Sequence, residues 1–176
     1  MAGREGEGIW VGIFAGTSAA ATLILACATP FSSLAAISAT RMSRRAGFVL
    51  MGAAWAVSQA IGFGVLGYPH DPRTLAWGLA ILTASLVASE AARRGGDWVG
   101  GHPALRVATA FGAGFLGYKA TLVAWSLVLG GVHTALSPYY ALTQFGREAL
   151  ILAGLLGVHR LLTTLGVPAA PRARMA

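Results

Sequence analysis

The chain has 176 residues, 56% of them hydrophobic and only 11% charged, with 24 glycines and a mean hydropathy of +0.66. Soluble domains carry about 25% charged residues, so this composition excludes an ordinary water-soluble enzyme. The net charge of +7 lies in short turns between apolar windows of membrane-spanning length, not on one continuous basic face, which excludes a nucleic-acid surface.

Residues 1–8 read as a short polar N-terminus carrying Arg4, Glu5 and Glu7. The apolar run "IWVGIFAGTSAAATLILACA" at residues 9–28 follows without a small-residue cleavage site, so it reads as a retained span. Cys27, the only cysteine, falls inside it and excludes an intrachain disulfide and a cysteine-cluster metal site. Pro30 then breaks the pattern, because proline lacks an amide proton and clashes with the preceding turn. The segment at residues 30–42 is too short for a full crossing. It reads as the lower half of a broken helix, a re-entrant piece or a short tilted helix.

Further spans are expected at residues 47–67, 74–92, 104–130 and 145–165. The turn "YPHDPR" separates the first two, and the Gly-rich loop "RGGDWVGGHP" follows the second. "GVHTALSPYYALTQ" leads into the last span, and a short basic tail occupies residues 167–176. The expected fold is therefore an all-α, polytopic membrane bundle, one transmembrane domain over residues 9–166. It has five full spans plus the short element, or six transmembrane helices if that element crosses. Placing the Arg41–Arg45 turn inside puts nine arginines on the cytoplasmic side and Arg73 and Arg147 outside; Arg4 is outside with five spans and inside with six. The C-terminus is then cytoplasmic by the positive-inside rule. High Ala, Gly and Arg content points to a bacterial inner membrane.

Lys119, the only lysine, lies mid-span in "FLGYKATLVAW", where a charge is costly and ordinarily faces a bundle interior or polar cavity. Phe115, Lys119, Leu122 and Ser126 share one helical face. That face suits a small carboxylate or phosphate, or a partner's acid; snorkelling to the interface is the plainer alternative. Glu148, Leu152, Leu155 and His159 form a second stripe; Glu148 either approaches Lys119 or sits at the interface, paired with Arg147 or a headgroup. Gln59, on a face with Trp55, Gly62 and Phe63, suits either contact with a flat ligand or interhelical hydrogen bonding.

The histidines show no metal-binding spacing. His70, His133 and His159 are candidate metal ligands only if the fold gathers them, and no cofactor is identified. No catalytic motif is evident. Small residues at four-residue spacing include Gly12, Gly16 and Ala20, as well as Ala110 and Gly114, and Ala113 and Gly117. Such faces pack helices within one chain or dock another membrane subunit or a second copy.

In size and layout, with an interrupted N-terminal element and mid-membrane Lys119 and Gln59, the chain resembles the small substrate-binding membrane components of vitamin or metal uptake systems. That resemblance implies capture or transport of a small molecule, an anionic one if Lys119 supplies the countercharge. It also implies a separate energising partner module. A non-catalytic accessory or assembly subunit and a small oligomeric channel are the competing expectations.

Overall fold

The computed structural model describes residues 8–16, 29–99 and 101–166, and it is helical throughout its regular elements. The first helix, α1, is described over residues 8–16. It is followed by α2 (Phe31–Arg41), α3 (Arg44–Gly64), α4 (Pro72–Trp98), α5 (Pro103–Leu129), the single-turn α6 (Val132–Leu136) and α7 (Pro138–Thr164). Four of these, α3, α4, α5 and α7, are long and apolar enough to cross a membrane. The chain is thus an all-helical, multi-pass membrane bundle. Of the span expected at residues 9–28, the second half lies outside the described residues, as do Ala20, Cys27 and the basic tail.

Helix α2 occupies the centre. Its residues 31–39 are all buried, and it packs against α3, α4, α5 and α7. At 11 residues it rises only about 16 Å, roughly half the thickness of a bilayer's hydrocarbon core. Serine and alanine dominate it, so the surrounding helices can approach closely. Its start follows from Pro30, and its last turn carries Arg41, whose charge suits the negative end of the helix dipole. Met42 and Ser43 then reverse the chain, with the Ser43 hydroxyl accepting from the Ala46 amide to cap α3.

The closest helix pair is α4 with α5. A Cβ at Gly95 would lie 2.5 Å from the Ala113 methyl and 2.8 Å from the Thr109 carbonyl oxygen, so only glycine permits this crossing. Next to Ala113 on α5, the Ala92 and Ala35 methyls crowd Gly114, joining α4, α5 and α2. The small-residue face of Ala110, Ala113, Gly114 and Gly117 therefore packs within the chain.

Two expected boundaries move. Helix α4 continues through Arg93–Gly96 to Trp98, because Gly95 and Gly96 pack against α5 and that contact outweighs glycine's poor helix propensity. Helix α7 begins at Pro138, not 145, because proline at the first helical position is already set for helix and lacks only an amide that would go unused. Most of the expected linker is thus helical, as α6 and the first turns of α7. Arg147 lies nine residues inside α7 rather than at its outer end.

Candidate functional site

The most polar feature of the interior is built where α2 begins. The first amides of a helix have no intrahelical acceptor, and Pro30 offers α2 no side-chain cap. Glu148 of α7 takes that role from 116 residues away: its Oε2 accepts from the Ser32 amide at 2.8 Å. The other oxygen, Oε1, accepts from Gln144 Nε2 at 2.9 Å, one turn earlier on α7. The Ser33 hydroxyl donates to the Glu148 carbonyl at 2.6 Å, pinning α2 to the α7 backbone as well. Glu148 is only 1% exposed. A carboxylate at the positive end of a helix dipole gains both charge–dipole stabilisation and charge-assisted hydrogen bonds. The Ser32 hydroxyl is buried beside the Glu148 carboxylate.

Glu148, Leu152, Leu155 and His159 are the buried residues of α7, the same four that the sequence spacing places on one stripe. His159, at the far end, packs its ring 4.6 Å from that of Trp10 in α1. Around the α2 N-terminus, the Phe31 and Tyr118 rings stack 5.7 Å apart. Tyr118 precedes Lys119, and Glu148 is the charge that acts on both.

Lys119 itself is half-buried and makes no ion pair within 4 Å among the described residues. It and Glu148 each lie about ten residues, roughly 15 Å of rise, from the end of their helix at the α6 side. Their interaction is one of field, not contact. Ser126, on the Lys119 face, is buried but donates to the Val123 carbonyl of its own helix.

Gln59 and Trp55 lie elsewhere, at the crossing of α3 with α4. Trp55 Nε1 donates to the Gly78 carbonyl at 2.8 Å. A Cβ at Gly78 would come within 2.7 Å of Gln59 Oε1. Both side chains therefore seat α3 on a glycine notch in α4, away from the Glu148 cluster. The histidines are also dispersed: His70 packs its ring, tilted, 5.1 Å from that of Phe63, His133 is in α6, and His159 is in the core. Among the described residues no group of three His, Cys, Asp or Glu side chains could hold a metal ion. Gly12 and Gly16 are exposed, with open space around them.

Gln144, Ser32, Ser33 and Tyr118 join the site without having been singled out from the sequence. The serine pair following Pro30 was a legible signal, since Pro–Phe–Ser–Ser before an apolar run marks a helix start. So was Gln144, one turn from Glu148 on the same face.

No family model matches the chain, and no curated protein or solved structure matches it either.

Proposed function

We propose that this protein is the membrane-embedded solute-handling component of a transport system in a bacterial inner membrane. In this reading it captures a small anionic molecule and works with a separate energising module. The observation that carries the reading is the half-length α2 ending inside the bundle on Glu148. Helices interrupted at mid-membrane aim free amides into the interior, and transporters use such ends to hold anionic groups. Here an incoming carboxylate or phosphate competes with Glu148 for the Ser32 amide, with the buried Ser32 hydroxyl as a further donor. Lys119 supplies the countercharge. Displaced Glu148 keeps Gln144 as its donor, so the exchange leaves no orphaned charge. The basic end of the bundle faces the cytoplasm, and the exposed Gly12 and Gly16 face of α1, with Ala20 continuing its spacing, suits close approach of a partner helix.

The test is ligand-dependent stabilisation of the purified protein in mild detergent, using acetate, succinate and inorganic phosphate as probes against chloride at matched ionic strength. The expected result is a raised melting temperature with at least one probe, lost in Lys119→Met. No response to any probe, with an unchanged melting temperature in Lys119→Met, overturns it.

A second reading, a non-catalytic accessory or assembly subunit, draws on Gln59 and Trp55. Both are committed to the α3–α4 contact, and polar side chains used this way hold a bundle together without handling a solute. A stoichiometric membrane protein that copurifies and covers Gly12 and Gly16, together with failure of the anion test, favours it.

A further inference from the structure

The end of the bundle where α2 stops gathers arginines from four elements: Arg41 of α2, Arg44 and Arg45 of α3, Arg93 and Arg94 of α4, and Arg106 of α5. Two carboxylates share this region. Glu90 holds Arg44 at 3.1 Å and Arg94 at 3.2 Å, and Asp97 holds Arg106 at 2.9 Å. Those pairs engage Arg44, Arg94 and Arg106.

Arg93 is in no such pair among the described residues. Its side chain is half-buried between α2, α3 and α4, and its Nη2 is sealed from solvent with no hydrogen-bond partner among the described residues. The absence of a side chain at Gly47 makes room for it: a Cβ there would stand 3.4 Å from Arg93 Nη2 and 3.3 Å from Ser38 Oγ. The charges that act on Arg93 are Asp97, Glu90, Arg44 and Arg106, so it sits at the centre of the cluster. A buried guanidinium donor without an acceptor is uncommon in a finished structure and calls for an ion or group that completes it. The surrounding excess of positive charge specifies an anion. The planar fork of arginine, flanked by further arginines, matches phosphate oxygens in particular.

We propose that Arg93, with Arg44 and Arg45 at its rim, forms a phosphate-binding site at the basic end of the bundle. Its ligand is a phosphate group, carried either by an anionic lipid headgroup or by a soluble phosphate. A modest swing of Arg93 away from Gly47 presents the fork at the surface. Arg45, exposed and in no ion pair among the described residues, supplies a second set of donors without breaking a pair. Basic pockets between transmembrane helices are suited to phospholipid headgroups in this way, each arginine contributing about a fivefold factor in affinity.

The full chain is reconstituted in phosphatidylcholine nanodiscs with and without phosphatidylglycerol, and separately in pure phosphatidylcholine with inorganic phosphate replacing chloride at constant ionic strength. Thermal stability is read in each, and bound lipid is counted by native mass spectrometry. If the headgroup is the ligand, phosphatidylglycerol stabilises the wild type, and Arg93→Gln weakens its binding about fivefold. Arg94→Gln, at an exposed position already paired with Glu90, weakens it by less. If the ligand is soluble, inorganic phosphate produces the Arg93-dependent stabilisation and phosphatidylglycerol does not. Equal responses of wild type and Arg93→Gln in both arms overturn the site. Should Arg93→Gln fail to fold, Arg93→Lys keeps the charge and removes the fork; undiminished phosphate-group binding by that variant overturns the proposal as surely.

Discussion

Replacing Glu148 separates its hydrogen bonding from its charge. In Glu148→Leu the Ser32 amide loses its acceptor in a buried site, and Gln144 Nε2 loses its partner. An orphaned buried donor costs about 1–3 kcal/mol. Relief of the carboxylate's own desolvation offsets part of the loss, and leucine refills most of the volume. The net expectation is a destabilisation of about 2–4 kcal/mol, or a melting temperature lower by about 5–15 °C for a chain of this size. Glu148→Gln behaves differently. Its amide oxygen still accepts from Ser32, and Gln144 can turn its amide so that its oxygen meets the new NH₂ group. That variant is expected within about 1 kcal/mol of wild type. The assay is thermal unfolding in detergent, followed by the fluorescence of the tryptophans. Wild-type stability in Glu148→Leu refutes the view that this side chain secures the start of α2. Equal damage from Gln and Leu refutes the view that hydrogen bonding rather than charge is what it supplies.

At the α4–α5 crossing, Gly95→Val drives side-chain carbon against the Thr109 carbonyl and the Ala113 methyl and is expected to cost about 1–3 kcal/mol. The matched control Gly112→Val, into open space, is expected to be nearly silent in the same unfolding assay. Trp55→Phe removes the donor to the Gly78 carbonyl and is expected to cost about 1 kcal/mol, measured by unfolding in detergent. Asp71 caps α4 through the Arg73 and Thr74 amides and the Thr74 hydroxyl. The Thr74 side-chain hydrogen bond is the main cause that holds its carboxyl below the ordinary aspartate range. Its contribution is therefore fully present above the unfolded-state pKa of about 3.9 and fades as pH falls through the lower folded-state value. A melting-temperature profile against pH is expected to show a downward step in that acid range for wild type and a smaller one for Asp71→Asn; superimposable profiles would exclude the cap as its source.

Hydropathy and helical spacing carry α3, α4, α5 and α7 because a lipid-facing helix writes its length directly into an apolar run. The stripe Glu148–Leu152–Leu155–His159 is legible for a related reason: one face of α7 meets protein, and helical spacing marks it. What the spacing leaves open is the partner. The Ser32 amide belongs to the backbone and carries no side-chain signature, so nothing in a linear reading ties it to a carboxylate 116 residues away. Lys119 and Glu148, the two charges that a sequence reader would pair, stand apart because the helix end takes the carboxylate first. Gln59 misleads for the opposite reason. Its polarity is conspicuous, but its amide donates to Ser58 of its own helix and its oxygen packs on a glycine of α4 whose importance lies in the side chain it lacks.

The short α2 illustrates what a membrane interior demands of a broken helix. Every backbone group at the break must find a partner within the protein, since lipid offers none. Part of this is solved locally: the Phe31 amide donates to the Thr29 carbonyl and the Leu34 amide to the Pro30 carbonyl. The Ser32 amide takes Glu148. An isolated backbone carbonyl or a serine could have satisfied the same amide without bringing an ionisable group into the core, so hydrogen-bond satisfaction alone does not account for the choice of glutamate. A carboxylate there adds what a neutral acceptor lacks, a charge that can be neutralised by a proton or displaced by another anion. It is this surplus over structural need that makes the start of α2 the candidate solute-handling point of the bundle.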